Sequence, residues 1–387
     1  MKKLVAIIIV IFNLSILNTK LFAQTDSSHI RISLLTCSPG ADLYAVFGHT
    51  ALRITDSVNH SDIVYNYGTF NFEEPNFYLK FTRGKLDYAL AYESLPEFLY
   101  GYTLEKRNVY EQELKLTALQ KQNIISFLQQ NLIGNNRYYK YDFFYDNCTT
   151  RIRDILTKQA NLTIAKPLVP AQTTFRNMIH VYLDSMNMCW SKLGIDILLG
   201  SPTDKKVNIY ESLFLPDYLL KAVDSSVNTS TKLISNKKTL LNVAEPITET
   251  NNKHYPLYLI GSISLILLVI SFSKNKILKK ITIISDSILL YITGLLGLVI
   301  LFMMFCTDHK ACAANYNLLW ALPTNIIAAF AVFKKPNWLI KYFYAIAFIS
   351  AITIVMWSML PQQLNIALLP IVILLLNMSV RFITNKK

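Results

Sequence analysis

The chain has 387 residues, a net charge of +13 and only 16% charged residues, whereas soluble proteins carry about 25%. This length leaves room for two domains. Much of the basic excess lies in lysine clusters between apolar runs, where membrane orientation explains it, so we do not expect nucleic-acid binding. The five cysteines show no CxxC spacing, which argues against a structural zinc site. We expect neither a metal nor a cofactor.

The N-terminus has the pattern of a secretory signal peptide. A basic start at Lys2 and Lys3 precedes the apolar run 4–17, and Ala23 provides a small residue at a cleavage site. We predict that residues 1–23 are removed on export. An uncleaved anchor helix is the alternative, because polar residues interrupt the apolar run only mildly.

Residues 24–224 have the composition of a globular domain. Apolar and polar residues alternate at period two over five segments, which predicts strands at 30–37, 50–55, 62–68, 86–92 and 108–114. Thr117 is expected to cap a first helix, a second should begin near Cys148, and a third should span about 174–184. Strands and helices in this order indicate an α+β domain.

Residues 225–254 are rich in Ser, Thr, Asn and Lys and poor in aromatic residues. Such a composition does not bury enough apolar surface to fold alone, so we predict a linker that is partly disordered.

Residues 255–387 predict a membrane domain. Five apolar stretches are each long enough for a spanning helix: 255–273, 281–307, 316–333, 342–360 and 364–384. Lysines follow the first and third stretches, and the chain ends on Arg381, Lys386 and Lys387, whereas the other two connections carry almost no positive charge. The positive-inside rule then places the C-terminus in the cytoplasm and residues 24–224 outside. This agrees with the predicted signal peptide.

Two residues suggest nucleophilic catalysis. His49 follows Gly48 at the entry to the second predicted strand, and Cys148 follows Asn147 at a predicted helix start. A helix N-terminus favours the thiolate, and a nearby histidine can take and return its proton. Papain-like enzymes use this arrangement. A free amide at the same helix start could serve as an oxyanion donor.

Structural alternatives exist for both residues. A lone cysteine is usually a small buried hydrophobe, and a lone histidine is usually an ordinary surface or core residue. The neighbours Asp146, Asn147 and Arg151 favour a functional thiol, because a structural cysteine needs none of them. Cys37 and Cys189 are the competing thiols; either they form a disulfide in an oxidising compartment, or Cys37 belongs to the core.

Several segments resemble the Lnb family, named for a periplasmic domain found in lipoprotein N-acyltransferases of Gram-negative bacteria. They are 35–40 (LTCSPG), 48–53 (GHTALR), 65–68 (YNYG), 141–154 (YDFFYDNCTTRIRD), His309, 315–320 (NYNLLW) and Pro323. The order of histidine before cysteine also resembles the circularly permuted papain-like group, which includes NlpC/P60 relatives and lecithin:retinol acyltransferase.

The resemblance implies a permuted papain-like (NlpC/P60-like) α+β domain followed by an all-α bundle of five transmembrane helices. It implies a ping-pong acyltransferase of the inner membrane, with its catalytic domain in the periplasm. Cys148, activated by His49, would take an acyl chain from a membrane phospholipid as a thioester. The α-amino group of a lipoprotein diacylglyceryl-cysteine would then accept that chain.

Further residues receive candidate roles from the same motifs. The candidates for a third catalytic or orienting member are Asn66 and Tyr67, on the strand after His49. The candidate substrate-binding residues are Asn147, Arg53, Arg151, His309 and Asn317. The last two lie near the loop after the second span, where a polar group could bind a headgroup; the alternative is an ordinary interfacial role.

Three other functions remain open from the sequence. A cell-wall cysteine peptidase or amidase would use the same dyad but has little need for five spans. A lipid hydrolase would replace the acceptor amine by water. A non-catalytic binding module with a membrane anchor would leave Cys148 inert.

Overall fold

The computed structural model describes residues 27–164, 166–228, 231–244 and 253–384. The predicted signal peptide, residues 1–23, lies outside the described residues. The N-terminal part is an α/β domain built on an antiparallel sheet, and the C-terminal part is helical.

Nine strands occur in the described residues. They are β1 (Ile30–Cys37), β2 (His49–Asp56), β3 (Ser61–Thr69), β4 (Asp87–Ser94), β5 (Val109–Leu114), β6 (Tyr138–Lys140), β7 (Val227–Asn228), β8 (Thr231–Lys232) and β9 (Ile234–Leu241). Seven form one sheet in the order β6-β4-β3-β2-β1-β5-β9, in which every pair is antiparallel; β7 and β8 form a separate hairpin. All five predicted strands are confirmed, with only small shifts at their ends.

Seven helices accompany this sheet: α1 (Phe77–Thr82), α2 (Leu95–Leu104), α3 (Ala118–Leu132), α4 (Cys148–Ala160), α5 (Phe175–Ser185), α6 (Cys189–Leu198) and α7 (Pro216–Ser225). Helices α3, α4 and α7 pack on one face of the sheet and α2 packs on the other. The central strand β1 is consequently buried on both faces. Thr117 caps α3 through a capping box, as the sequence predicts.

The predicted linker 225–254 is wrong over part of its length, because Ile234–Leu241 is strand β9 and pairs with β5 at the edge of the sheet. The exposed lysines of this strand fit a linker composition, but strands at the edge of a sheet commonly carry lysine as well. Lys238 lies 3.1 Å from the buried Glu111 carboxylate, so this strand has specific partners in the sheet.

The C-terminal part contains the apolar helices α8 (Tyr255–Ser271), α9 (Lys276–Phe305), α10 (Asn325–Lys334), α11 (Asn337–Val355) and α12 (Leu369–Thr384). Three helical stretches of the described residues are long and apolar enough to cross a membrane: Lys276–Phe305, Asn337–Val355 and Ile366–Thr384. Helices α8 and α10 are shorter. The third predicted span, 316–333, is interrupted because Pro323 separates a short 3-10 turn from α10.

The two parts of the chain share packing. Leu193 of α6 belongs to the hydrophobic core of the helical region. The backbone N–H of Gly200 donates to Ala311 O at 2.9 Å, and that of Ser201 donates to Ala314 O at 3.2 Å. The sheet domain is thus held directly against the loops at one end of the helices.

Candidate active site

The structure brings His49 and Cys148 into side-chain contact. Cys148 is the first residue of α4, and the Asn147 side chain caps that helix by accepting an N–H of its first turn at 2.8 Å. His49 begins β2 directly after Gly48, whose φ is +80°. A side chain on Gly48 would meet the Cys37 carbonyl oxygen at 2.7 Å. Glycine is therefore required for this entry to the strand.

A buried hydrogen bond fixes the strand to the helix beside the dyad. The hydroxyl oxygens of Thr50 and Thr149 lie 3.1 Å apart, and both side chains are buried. Each threonine directly follows a member of the dyad. The pair therefore sets the spacing of α4 and β2 where His49 and Cys148 meet.

The electrostatics of this site favour a thiolate. Burial opposes the charged form of Cys148, but the charge and hydrogen bond of His49, the Thr50 N–H and the Thr149 hydroxyl outweigh it and lower the thiol pKa from 9.0 to about 7. Burial also opposes the imidazolium, yet the charge and hydrogen bond of Cys148 and a hydrogen bond to Asn66 raise the pKa of His49 above 6.5. The two shifts describe one thiolate–imidazolium pair.

A polar chain orients the imidazole. His49 Nε2 lies 2.8 Å from Asn66 Oδ1, and Asn66 Nδ2 donates to Glu93 Oε1 at 2.6 Å. Because the Asn66 amide nitrogen faces a carboxylate, its oxygen must accept a hydrogen bond from Nε2–H. The other ring nitrogen of His49 is then left for the thiol. Asn66 thus fixes the orientation of the His49 ring.

A largely apolar cavity of about 360 Å³ lies between the sheet domain and the helical region, and Tyr141, a neighbour of Cys148, is part of its wall. Its size falls in the range of small-molecule sites. The lining residues are Phe47, Phe81, Gly84, Leu86, Tyr88, Tyr141, Asp142, Phe143, Phe144, Ile179, Ile195, Leu198, Leu199, Met303, Asp308, His309, Lys310, Ala311 and Cys312. The N-terminal domain forms most of the wall, and the end of α9 with the loop after it closes the rest.

Tyr141 lines the cavity and also lies close to Cys148. Its ring lines the cavity, and its phenol pKa is raised well above 10.0 by burial and by the charge of Cys148. On the other side, Phe47 lines the cavity two residues before His49.

Two family models match the chain. One is described as the Lnb N-terminal periplasmic domain and matches residues 18–180, and the other is described as the Lnb transmembrane domain and matches residues 248–387.

The chain belongs to the Lnb family.

The resemblance drawn from the sequence motifs is thereby confirmed, and this Lnb chain is a membrane protein with a periplasmic domain. No curated protein and no solved structure matches it significantly.

His309 lies at the cavity, where its Nε2 is 3.1 Å from the Thr82 carbonyl oxygen. Nearby, the Asp308 N–H donates to Arg83 O at 2.9 Å, which joins α1 to the loop after α9. His309 therefore lies where the helical region meets the sheet domain, on the wall of the cavity. Asp308 and Lys310 accompany it on the same wall.

Asn317 has a different position. It is fully buried, its Nδ2 donates to Asp196 O at 3.0 Å, and its Oδ1 accepts from Trp320 Nε1 at 3.0 Å. Asn315 and Gln362 likewise donate to carbonyl oxygens at the C-terminus of α6. The loops of the Lnb transmembrane region thus cap a helix of the periplasmic domain, which leaves Asn317 no amide group for a substrate.

The remaining candidates also make structural contacts. Asn147 Nδ2 donates to Phe143 O and Phe214 O. Arg53 pairs with Asp62 and Glu111. Arg151 pairs with Asp146 and stacks on the Tyr139 ring, with Tyr67 beside it. Among the described residues, Asn66 and not Tyr67 contacts His49.

Sequence reasoning missed Glu93, Thr50, Thr149 and the wall of the cavity. The threonines stand inside the family motifs, so their position next to the dyad was an available signal. Glu93 had none, because its contact with Asn66 depends on strand pairing. All five cysteines are free thiols, including Cys37 and Cys189. The described residues contain no cluster of three or more His, Cys, Asp or Glu side chains that could hold a metal ion.

Proposed function

We propose that this protein is a lipoprotein N-acyltransferase that uses a Cys148 thioester. The observation that carries the proposal is the contact of His49 with Cys148 at the start of α4, in a domain that shares an apolar cavity with the helical region. The Lnb family membership supports the same activity. A peptidase acting on the cell wall would have no use for an apolar cavity in this position.

The first half-reaction forms the thioester. The Cys148 thiolate attacks the carbonyl carbon of a phospholipid ester, and the backbone N–H groups at the start of α4 stabilise the resulting oxyanion. The carbon–oxygen bond then breaks. His49 donates its proton to the leaving alkoxide, which departs as a lysophospholipid. The acyl chain stays in the cavity as a Cys148 thioester.

The second half-reaction transfers the acyl chain. The α-amino group of a lipoprotein diacylglyceryl-cysteine attacks the thioester carbon, and the now neutral His49 takes a proton from that nitrogen. The carbon–sulfur bond breaks, an amide remains on the lipoprotein, and the thiolate–imidazolium pair is restored. Asn66 and Glu93 hold the imidazole in one orientation through both steps. His309 and Lys310, on the cavity wall, are suited to binding a lipid headgroup.

The proposal includes a topology. The catalytic domain extends from residue 24 through α7 and includes β9. Five passes of the inner membrane follow, made by the helices α8, α9, α11 and α12 and by the segment 316–334, which ends in the short helix α10. The C-terminus is cytoplasmic. The lysines that follow α8 and α10 support this orientation, since they lie at the opposite end of the helices from the periplasmic domain. The His49-before-Cys148 order supports a permuted papain-like arrangement. A reporter that is active only in the cytoplasm, fused after residue 387, tests the orientation.

The experiment expresses the chain in cells that lack their own lipoprotein N-acylation enzyme. Mass spectrometry then counts the acyl chains on the N-terminal peptide of one abundant lipoprotein. We expect a third, amide-linked chain with the wild type and with Cys189→Ser, and none with Cys148→Ser. Cys189 is the matched control because it also begins a helix but has no histidine partner among the described residues.

A second readout separates transfer from hydrolysis. Purified protein incubated with phospholipid alone should gain the mass of one acyl chain at Cys148, and hydroxylamine should remove it. Release of free fatty acid without a third chain on the lipoprotein would identify a lipid hydrolase. If neither an acyl-enzyme nor a modified lipoprotein forms, both lipid activities are excluded and the wall peptidase remains.

A further inference from the structure

A second cavity lies at the end of the helical region opposite the periplasmic domain. Its volume is about 660 Å³, and it is enclosed by the ends of α8, α9, α11 and α12. Helix α9 shows that this cavity and the periplasmic domain lie at opposite ends of the helical region, because its 30 residues cover about 45 Å. The first turns of α9 approach this cavity, whereas Cys306, just past its other end, accepts a hydrogen bond from Arg83 of the periplasmic domain.

The charges lining this cavity are predominantly positive. Lys274, Lys279, Lys335 and Arg381 face a single carboxylate, that of Asp286. None of the three lysines forms an ion pair within the parts of the chain that the structure describes. The cavity therefore has an excess of three positive charges that the described residues do not neutralise.

Arg381 has an unsatisfied hydrogen-bond donor among the described residues. Its Nη2 contacts both oxygens of Asp286 at 2.8 and 2.9 Å, which orients the guanidinium within the bundle. Its Nε, however, is buried and has no hydrogen-bond partner among the described residues. An unsatisfied buried donor is costly, so a ligand oxygen at this position would remove a penalty that the empty cavity carries.

The floor of the same cavity is apolar. Leu339, Ile340, Phe343, Val380 and Phe382 line it, and the rings of Phe343 and Phe382 stack at 4.5 Å. A small anion would satisfy the cations but would leave these side chains uncovered. A ligand with a phosphate and adjoining acyl chains would contact both surfaces.

We propose that this cavity binds an anionic phospholipid, with its phosphate at Lys279, Lys335 and Arg381 and its acyl chains over the Phe343 side. Basic pockets between membrane helices at the cytoplasmic side recognise anionic headgroups in this way. An anionic phosphate group is common to a lipid headgroup and to free phosphate, and the apolar floor favours the lipid. This site is independent of the acyltransferase reaction, which takes place at the other end of the helices.

The test uses the detergent-solubilised full chain and native mass spectrometry. Dioleoylphosphatidylglycerol is titrated, and the fraction of protein retaining one lipid gives the affinity; dioleoylphosphatidylcholine is the neutral comparison. One variant carries Lys274→Gln, Lys279→Gln and Lys335→Gln. The matched control carries Lys276→Gln, Lys280→Gln and Lys334→Gln, which removes the same charge from the same segments but touches no residue lining the cavity.

We expect the cavity variant to bind phosphatidylglycerol at least tenfold more weakly than the control variant, with phosphatidylcholine unchanged. Each lysine near a phosphate contributes roughly a fivefold effect, so three could reach on the order of 100-fold. Equal losses in the two variants, or no loss in either, would overturn the proposal. Displacement of the lipid by inorganic phosphate at comparable concentration would show a phosphate site rather than a lipid site.

Discussion

The substitution His49→Gln should abolish the unusual reactivity of Cys148 at neutral pH. The wild-type pKa of about 7 makes roughly half of the thiol a thiolate at pH 7. His49 is the largest influence that lowers this pKa, and burial acts in the opposite direction. Without the imidazole, the pKa should therefore return to 9.0 or higher, where no more than about 1% of the thiol is ionised at pH 7.

The magnitude follows from that difference. A pKa lower by about 2 corresponds to about 3 kcal/mol of thiolate stabilisation, and the thiolate fraction at pH 7 should fall about 50-fold. The direction of the pH dependence follows from the ion pair. Protonation of Cys148 as the pH falls below about 7 removes both the nucleophile and the partner that stabilises the imidazolium. Acyl-enzyme formation should therefore rise with pH through this region in the wild type.

The assay is alkylation by iodoacetamide from pH 5 to pH 10, with each cysteine peptide quantified by mass spectrometry. Cys37 is an internal reference, because burial raises its pKa to about 12 and it should label far more slowly. His180→Gln is the matched control, since His180 Nε2 is also hydrogen-bonded at 2.8 Å but to Asp196. Equal midpoints for Cys148 in the wild type and in His49→Gln would refute the ion-pair reasoning.

Four further substitutions, one of them a control, test other parts of the structure. Asn66→Ala removes the acceptor that orients His49 and should slow acyl-enzyme formation about 10- to 100-fold, with single-turnover rates as the measurement and lipid binding unchanged. Gly200→Ala would place a methyl group 1.8 Å from a carbonyl oxygen of the helical region and should lower the thermal unfolding temperature. Gly194→Ala in α6 has nothing within 4 Å and should leave that temperature unchanged or raise it. Leu198→Trp should narrow the 360 Å³ cavity and slow acylation, while the pH midpoint of thiol alkylation stays near that of the wild type.

The strands of the sheet were predictable from the sequence where burial produces a pattern of apolar residues within a single strand. In β1, side chains alternate between two helix-covered faces, with Ile32 and Leu34 packed on one and Leu35 and Cys37 on the other. Strand β9 carries no such pattern, because an exposed edge tolerates lysine and its pairing with β5 is set across more than a hundred residues. The helical region was predictable as apolar, whereas helix ends depended on local breaks such as the one at Pro323.

The candidate site divides in the same way. The positions of His49 at a strand start and of Cys148 at a helix start were predictable because both lie in local sequence motifs. The roles of Arg53 and Arg151 were not, since a motif does not reveal that each guanidinium is already paired. Nor does it reveal the cavity, whose walls come from segments as distant as Phe47 and Met303.

The attachment of the two domains has a direct consequence for the reaction. Helix α6 ends with carbonyl groups that no residue of its own helix can satisfy. Side-chain amides of the helical region, those of Asn315, Asn317 and Gln362, donate hydrogen bonds to these carbonyl oxygens. The same helix contributes Ile195 and Leu198 to the wall of the acyl cavity. Movement of the membrane loops would therefore break the cap of α6 and open the cavity together. A periplasmic domain separated from its helices would keep the contact of His49 with Cys148 but lose the part of the cavity wall that α9 and the following loop supply. The exclusion of water on which the proposed acyl transfer depends would be lost with it.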